Sequence, residues 1–515
     1  MTRDRLQSPA RTAWVIGLIA SAVGFAWSWV PSLWTDEVAT LTAASMPWAD
    51  LWSLLHHIDA VHGLYYAFAH VWLDAFGASA IALRLPSALA IGAAASGVYL
   101  LGRELAGHRT GLWAAVVLTA LPRSTWAAVE GRSYALTILV GVWATYVLIR
   151  MLRHPSRAGW AVYCVAIVIG TVLNIYVVLL IPAHGVALIL TRGRRDRFLR
   201  RWSVVAGVSG ASTLPFLVYA AGQAGQLGEP TGGLFSTARQ VIVNQYFLGQ
   251  TPTLTTGRAV DAQLPLLAET WRPASIVLAV LSIALIATSA WLAGRKAGWR
   301  LGSDTARPWV WGLSLTVVPT VLVVAYALAI SPSFYSPRYL AFTVVGLALL
   351  LGAALRTMGP RSVVMVVVLL GLLATPVYVS QRSAFAKSAT DWSAASDYTE
   401  HRAKPGDGVY FTPRYDTGSI IVKRTSRSVA VAYPEAFSGL KDLTVVSTPE
   451  RNHDLTGTSR RLEDSTAELE RVTRVWVVAR SDYDLTSDER TLERAGFAQA
   501  STWTGPLTTV IEFAR

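Results

Sequence analysis

Residues 13–37 read AWVIGLIASAVGFAWSWVPSLWTDE: an apolar run, a proline, and then two adjacent carboxylates, Asp36 and Glu37. A helix needs about 20 such residues to cross hydrocarbon, so the run reads as a first membrane span with the acidic pair just beyond its end. Further spans follow and the only small-residue sites lie inside the run, which argues for an uncleaved first helix rather than a secretory signal. Similar windows recur near 82–101, 111–128, 133–151, 160–176, 177–191, 203–221, 273–293, 309–330, 338–355 and 362–380. The expected fold is therefore a polytopic α-helical membrane protein of about eleven spans, followed by a soluble α/β domain.

Composition supports this reading. The chain of 515 residues is 53% hydrophobic and only 15% charged, whereas soluble proteins carry about 25% charged residues. Its net charge of +13 is unevenly placed: residues 382–515 hold 18 Lys+Arg against 19 Asp+Glu, and the rest hold 27 against 13. The basic excess thus lies between apolar runs, as expected of loops at a membrane and not of a nucleic-acid surface. The lone cysteine, Cys164, excludes an intrachain disulfide and any cysteine-based metal site.

Alternate loops hold the arginines: 103–109, 150–157, 192–201, 295–307 and 356–361. Cytoplasmic loops are the basic ones, so the N-terminus is predicted inside and the segment after the last span outside, in a plasma membrane. The weakest point is 160–191, where two short spans meet at Asn174; a single long helix there would invert everything downstream. Residues 31–83, without Lys or Arg, read as aromatic-rich helices lying in the interface. Residues 223–272 form a second long outward connection, with a short helix near 236–247, that reads equally well as a lid or a plain loop. Domains are predicted at 1–381 and 382–515, the second with helices at 391–401 and 487–495 and strands at 408–411, 475–479 and 508–513.

Two carboxylates at a membrane surface with no local cation are costly unless they face water or substrate, so one of the pair is a candidate general base. The plainer reading is that Thr35 or Asp36 caps the next helix, with acidic residues in its first turn. Asp59, His62, Tyr65 and Tyr66 combine acid, imidazole and rings in the manner of a sugar site. His56, His57, Asp59 and His62 are competent metal ligands, but their spacing matches no zinc signature, and no metal or other cofactor is expected. Arg84, Arg132 and Arg338 each begin an outside-to-inside span, against the positive-inside preference. Singly they read as headgroup anchors; three on the carboxylate-bearing face read as a phosphate site.

These stretches together resemble the GT-C polyprenyl-phosphate-sugar glycosyltransferases, in the branch of the protein O-mannosyltransferases and the aminoarabinose transferases. The likeness rests on Asp36-Glu37 after the first span, His62-Gly63-Leu64-Tyr65-Tyr66, Arg84-Leu85-Pro86-Ser87 and Tyr335-Ser336-Pro337-Arg338-Tyr339. Such enzymes pass a sugar, with inversion, from a polyprenyl phosphate to an acceptor hydroxyl outside the cytoplasm. The resemblance implies Asp36 as base, Glu37 as its neighbour in site organisation, and Arg84 and Arg338 as phosphate or site-ordering cations. Asp59, His62, Tyr65, Tyr66, Glu130, Arg132, Tyr335 and Tyr339 complete the expected substrate-binding set. Two departures stand out: His-Gly-Leu replaces His-Pro-Pro at residues 62–64, and Glu130-Gly131-Arg132 stands where the aminoarabinose enzymes have an aspartate. The donor implied is a polyprenyl-phosphate sugar, with mannose favoured and arabinofuranose or another pentose second. The acceptor is a cell-envelope glycolipid, lipoglycan, polysaccharide or protein, with membrane lipid around the protein. A lipid-linked sugar flippase ranks behind, because the spans hold almost no Asp, Glu or Lys.

Overall fold

The computed structural model describes residues 8–223, 234–249, 265–297, 301–414 and 425–515. Among them, eight helices are long and apolar enough to cross a membrane. They are Ala80–Ala106, Tyr134–Met151, Ile175–Arg192, Arg197–Gly222, Thr270–Arg295, Arg307–Ala329, Pro337–Arg356 and Pro360–Ser380. The other three predicted positions are also helical but shorter: Pro9–Phe25, His108–Ala120 and Arg157–Leu173. The 111–128 prediction overran because Pro122, which lacks an amide N–H, ends one helix and starts the short helix Pro122–Ala127. The first helix has a complete start signal, with the Ser8 hydroxyl accepting from the Arg11 amide and Pro9 in the first turn.

Small residues let these helices approach closely, the packing that serves where lipid removes the hydrophobic drive between helices. A Cβ at Gly111 would lie 2.2 Å from the Tyr99 carbonyl oxygen, and one at Gly92 would lie 2.5 Å from that of Gly17. The 160–191 ambiguity resolves into two spans. Helix Arg157–Leu173 stops at Asn174, whose side-chain oxygen accepts from the Tyr176 amide, and the chain turns back through Ile175–Leu179. Arg192, at the far end of the returning helix, donates to the Leu152 carbonyl beside the start of the outgoing one. At the same end Arg153 donates to Glu104 at 3.1 Å, so the basic loops 103–109, 150–157 and 192–201 share one end of the bundle.

The opposite end carries helices Thr35–Ser45, Trp48–His57 and Gly63–Phe76, as the interrupted pattern of 31–83 predicts. Much of 223–272 lies outside the described residues; within it are helix Leu234–Arg239 and the π-helical stretch Gln240–Leu248.

The C-terminal part contains helices Trp392–Glu400 and Thr486–Arg494 and, among the described residues, seven strands: β1 Gly408–Thr412, β2 Lys441–Asp442, β3 Val445–Ser447, β4 Thr458–Ser459, β5 Arg474–Arg480, β6 Ala498–Thr504 and β7 Thr508–Ala514. Five form one sheet in the order β2-β1-β5-β7-β6, and β3 pairs with β4. β1 runs parallel to β2 and β5, while β7 is antiparallel to both neighbours. The central strand β5 alternates Val475, Val477 and Ala479 toward one apolar cluster with Trp476 and Val478 toward another, so both faces are covered. Strand β6 escapes the sequence reading because Ala498–Thr504 is a mostly exposed edge with polar residues on it.

The C-terminal part is docked on the membrane part. The Tyr433 hydroxyl accepts from the Leu33 amide at 3.0 Å, and the Ser393 amide donates to Ser32 Oγ at 3.2 Å.

A buried charge cluster beside a half-open aspartate

Asp36 and Glu37 lie in the first turn of Thr35–Ser45, where free backbone N–H groups favour carboxylates. The N-cap is Trp34, and no side chain caps the helix, so neither Thr35 nor Asp36 has that role. Adjacent helical residues point about 100° apart, and the pair divides accordingly. The Glu37 side chain is fully buried, whereas that of Asp36 is 19% exposed.

Glu37 has four charge-assisted or backbone donors. Arg84 grips it with both Nε (2.8 Å) and Nη2 (2.6 Å), Lys387 Nζ lies at 2.7 Å, and the Gly131 amide at 2.9 Å. Arg84 spends its remaining donors on the carbonyls of Ser28, Pro31 and Ser32, in the stretch that follows the first helix. Lys387 also reaches Glu130 at 3.0 Å and the Val129 carbonyl at 2.6 Å. Glu130 in turn accepts from Trp34 Nε1 at 3.2 Å. Burial alone would raise the Glu37 carboxyl, but Arg84 and Lys387 outweigh it and hold it down at about 2. At Glu130 burial prevails over Lys387, with Glu37 adding to the rise, and the group is pushed up to about 7. Both cations are fully enclosed, so this quartet is a sealed support joining two helices, the turn at Glu130 and the segment after the last span.

Asp36 faces a different set. Arg338 Nη1 donates to its Oδ2 at 2.6 Å, with the guanidinium side chain 22% exposed. Burial would raise the Asp36 carboxyl; Arg338 and then Arg132 outweigh it and hold it below the usual carboxylate range. Arg132 Nη1 donates to the Tyr66 hydroxyl at 2.9 Å, which donates to Asp59 Oδ2 at 2.7 Å. Asp59 stands in the left-handed region, at φ 57°, directly before the turn Ala60–His62. Burial, then Arg132, push the His62 imidazole down to about 4, so it is neutral at physiological pH. Tyr339 stacks on Tyr176, with ring centroids 5.4 Å apart and planes at 12°, and Tyr335 donates to Gln245 at 2.9 Å.

Several expectations change with this geometry. Arg84 and Glu130 are sealed in the support, so neither is free to bind phosphate or substrate. Tyr65 and Tyr66 are 2% and 0% exposed, which removes them as stacking platforms: Tyr65 packs among Leu51, Leu54 and Leu173, and Tyr66 relays Arg132 to Asp59. His56 and His57 bond the Trp52 and Ser53 carbonyls of their own helix through Nδ1. Among the described residues no three His, Cys, Asp or Glu are grouped so as to hold a metal ion. Asp36, Arg132 and Arg338 do come together, with His62 and Tyr339 around them. Sequence reasoning missed Lys387, Arg123 and Gln245; Lys387 carried a weak signal, being a lysine in a chain poor in them.

Comparison with known proteins agrees with the fold. The family described as dolichyl-phosphate-mannose-protein mannosyltransferase matches residues 64–219. No curated protein sequence matches the chain. Among solved structures, ArnT from Cupriavidus metallidurans in the apo state is similar at 14% identity and a TM-score of 0.56, over 98% of each chain. The same protein bound to undecaprenyl phosphate is similar at 14% identity and 0.55, over 97% of each. The apo oligosaccharyltransferase of Archaeoglobus fulgidus aligns at 13% identity and 0.48, over 91% of this chain and 69% of that one. The match to ArnT runs through both the membrane helices and the C-terminal sheet, and the chain has the GT-C fold of the polyprenyl-phosphate-sugar glycosyltransferases.

Proposed function

We propose that this protein is an inverting glycosyltransferase that moves a sugar from a polyprenyl-phosphate donor to a hydroxyl of a cell-envelope acceptor. The observation that carries the reading is the Asp36–Arg338 pair: a partly exposed carboxylate and a partly exposed guanidinium in contact at 2.6 Å, next to a sealed charge cluster. Asp36 accepts the acceptor's proton as its oxygen bonds to the anomeric carbon, while the bond from that carbon to the phosphate oxygen breaks. The polyprenyl phosphate leaves with the bonding electrons. Arg338 answers for both partners: as it turns to the donor phosphate it loosens its hold on Asp36, and the carboxylate regains basicity where a proton must be taken. Because phosphate is a good leaving group, no general acid is required.

The loops of 103–109, 150–157 and 192–201 lie on the cytoplasmic side in this reading, and Asp36, Arg338 and residues 382–515 lie outside. Mannose is the proposed sugar, supported by the family match over 64–219. Incubating purified protein in lipid with polyprenyl-phosphate mannose, arabinofuranose and other pentoses, and an envelope-lipid acceptor, tests the reading. Label appears in acceptor with the mannosyl donor if it is right; absence of transfer from every donor overturns it.

A further inference from the structure

Four arginines among the described residues are buried: Arg84, Arg123, Arg132 and Arg382. Three are linked to a carboxylate or to several carbonyls, although Arg132 Nε has no hydrogen-bond partner among the described residues. Arg84 is paired with Glu37, Arg132 is linked through Tyr66 to Asp59, and Arg382 lies 3.6 Å over the Tyr378 ring with Ala26, Gly24 and Tyr378 carbonyls around its nitrogens. Arg123 meets no carboxylate among the described residues and lies 4.7 Å over the Trp126 ring. Its side chain is fully enclosed, its Nε donates to the Gln245 carbonyl and its Nη2 to the Asn244 carbonyl, both at 2.8 Å. Its Nη1 has no hydrogen-bond partner among the described residues, and no carboxylate there pairs with it. A buried cation with an unused donor is expensive, and an anion arriving at that donor removes the expense.

The surroundings say which anion. Gln245, whose backbone Arg123 holds, accepts the Tyr335 hydroxyl through its side chain at 2.9 Å. Tyr335 opens the stretch that carries Arg338, and Arg338 Nε likewise has no partner among the described residues. Three guanidiniums, those of Arg123, Arg132 and Arg338, thus keep a buried donor unused on the same side of the bundle as Asp36. Resting on the function proposed above, we propose that Arg123 is a second ligand of the donor phosphate, acting with Arg338. The donor is a phosphodiester with one negative charge, and the polyprenyl phosphate that leaves gains a second. An arginine without a carboxylate partner meets that added charge in the transition state, where Arg338 alone is divided between phosphate and Asp36. Arg123 is then a binding residue and not only a clamp on Gln240–Leu248.

Binding of undecaprenyl phosphate and of undecaprenol to the purified full chain, followed by tryptophan fluorescence and thermal shift, separates the two roles. Wild type binds the phosphate more tightly than the alcohol. Arg123→Gln weakens undecaprenyl phosphate by about 10-fold or more and leaves undecaprenol unchanged, and Arg123→Lys, which keeps the charge without the fork, falls between them. An Arg123→Gln or Arg123→Lys protein that binds undecaprenyl phosphate as wild type does overturns the assignment of Arg123 and leaves the proposed function standing. Equal weakening of phosphate and alcohol also overturns it, in favour of a structural clamp. If wild type itself fails to prefer the phosphate, both readings fall.

Discussion

Replacing Lys387 by Met tests whether the segment after the last span is part of the site's support. Removing one member of a buried, hydrogen-bonded ion pair costs about 3–5 kcal/mol. Here Lys387 serves two carboxylates, at 2.7 and 3.0 Å, but Glu130 can relieve part of the loss by taking a proton. With Lys387 present Glu130 sits at about 7, and losing the cation raises it further, leaving Glu37 and Arg84 as a neutral pair. A group whose folded value is raised stabilises the protein below its unfolded value, and that contribution is lost as pH rises toward the folded one. In wild type the loss levels off above about 7; in Lys387→Met it continues, at about 1.4 kcal/mol per pH unit. The expected deficit is therefore about 2–4 kcal/mol near neutrality and about 1 kcal/mol more at pH 8 than at pH 7. Thermal unfolding in detergent at pH 6, 7 and 8 measures it. The same midpoint as wild type at all three would refute the idea that Lys387 completes the cluster, and a deficit that shrinks as pH rises would refute the assignment of the shared proton to Glu130.

Glu130→Gln should flatten the pH dependence of wild-type stability between pH 6 and 8, since the amide keeps an acceptor for Trp34 without titrating; an unchanged slope places the titration elsewhere. Arg84→Gln should lower yield and thermal stability, by about 3–5 kcal/mol where measurable, because it strands Glu37; a stable protein with weakened donor use would restore Arg84 as a phosphate ligand. Arg338→Gln should weaken donor use in a folded protein, and Arg338→Lys should recover it only in part; full activity in the Gln variant removes Arg338 from the site. In a Cys164→Ala background, a cysteine at the exposed position Ala467 should react with an impermeant reagent in intact cells, and reaction only after the membrane is opened reverses the topology.

Much of this architecture follows from local chemistry that a sequence displays. Apolar windows and basic loops mark the spans, and the acidic pair after the first span marks the candidate site. What the sequence conceals is partnership over distance. Arg84 reads as a membrane-surface cation, and only the fold reveals that Glu37, 47 residues away, consumes its donors. The two carboxylates look equivalent side by side; the helix that starts at Thr35 turns one into the protein and leaves the other partly exposed. Lys387 carries no motif, because its value comes from meeting Glu37 and Glu130 from 350 and 257 residues away. The tyrosines mislead for a related reason: Tyr65 and Tyr66 resemble a sugar platform in sequence, yet helix Gly63–Phe76 turns both inward.

The most direct test of the central claim is turnover by Asp36→Asn with a polyprenyl-phosphate mannose donor, alongside undecaprenyl phosphate binding by the same protein. A general base contributes roughly 10²–10⁴-fold in rate, so transfer should fall by at least about 10²-fold while binding persists. Transfer at the parent rate by Asp36→Asn would contradict the mechanism.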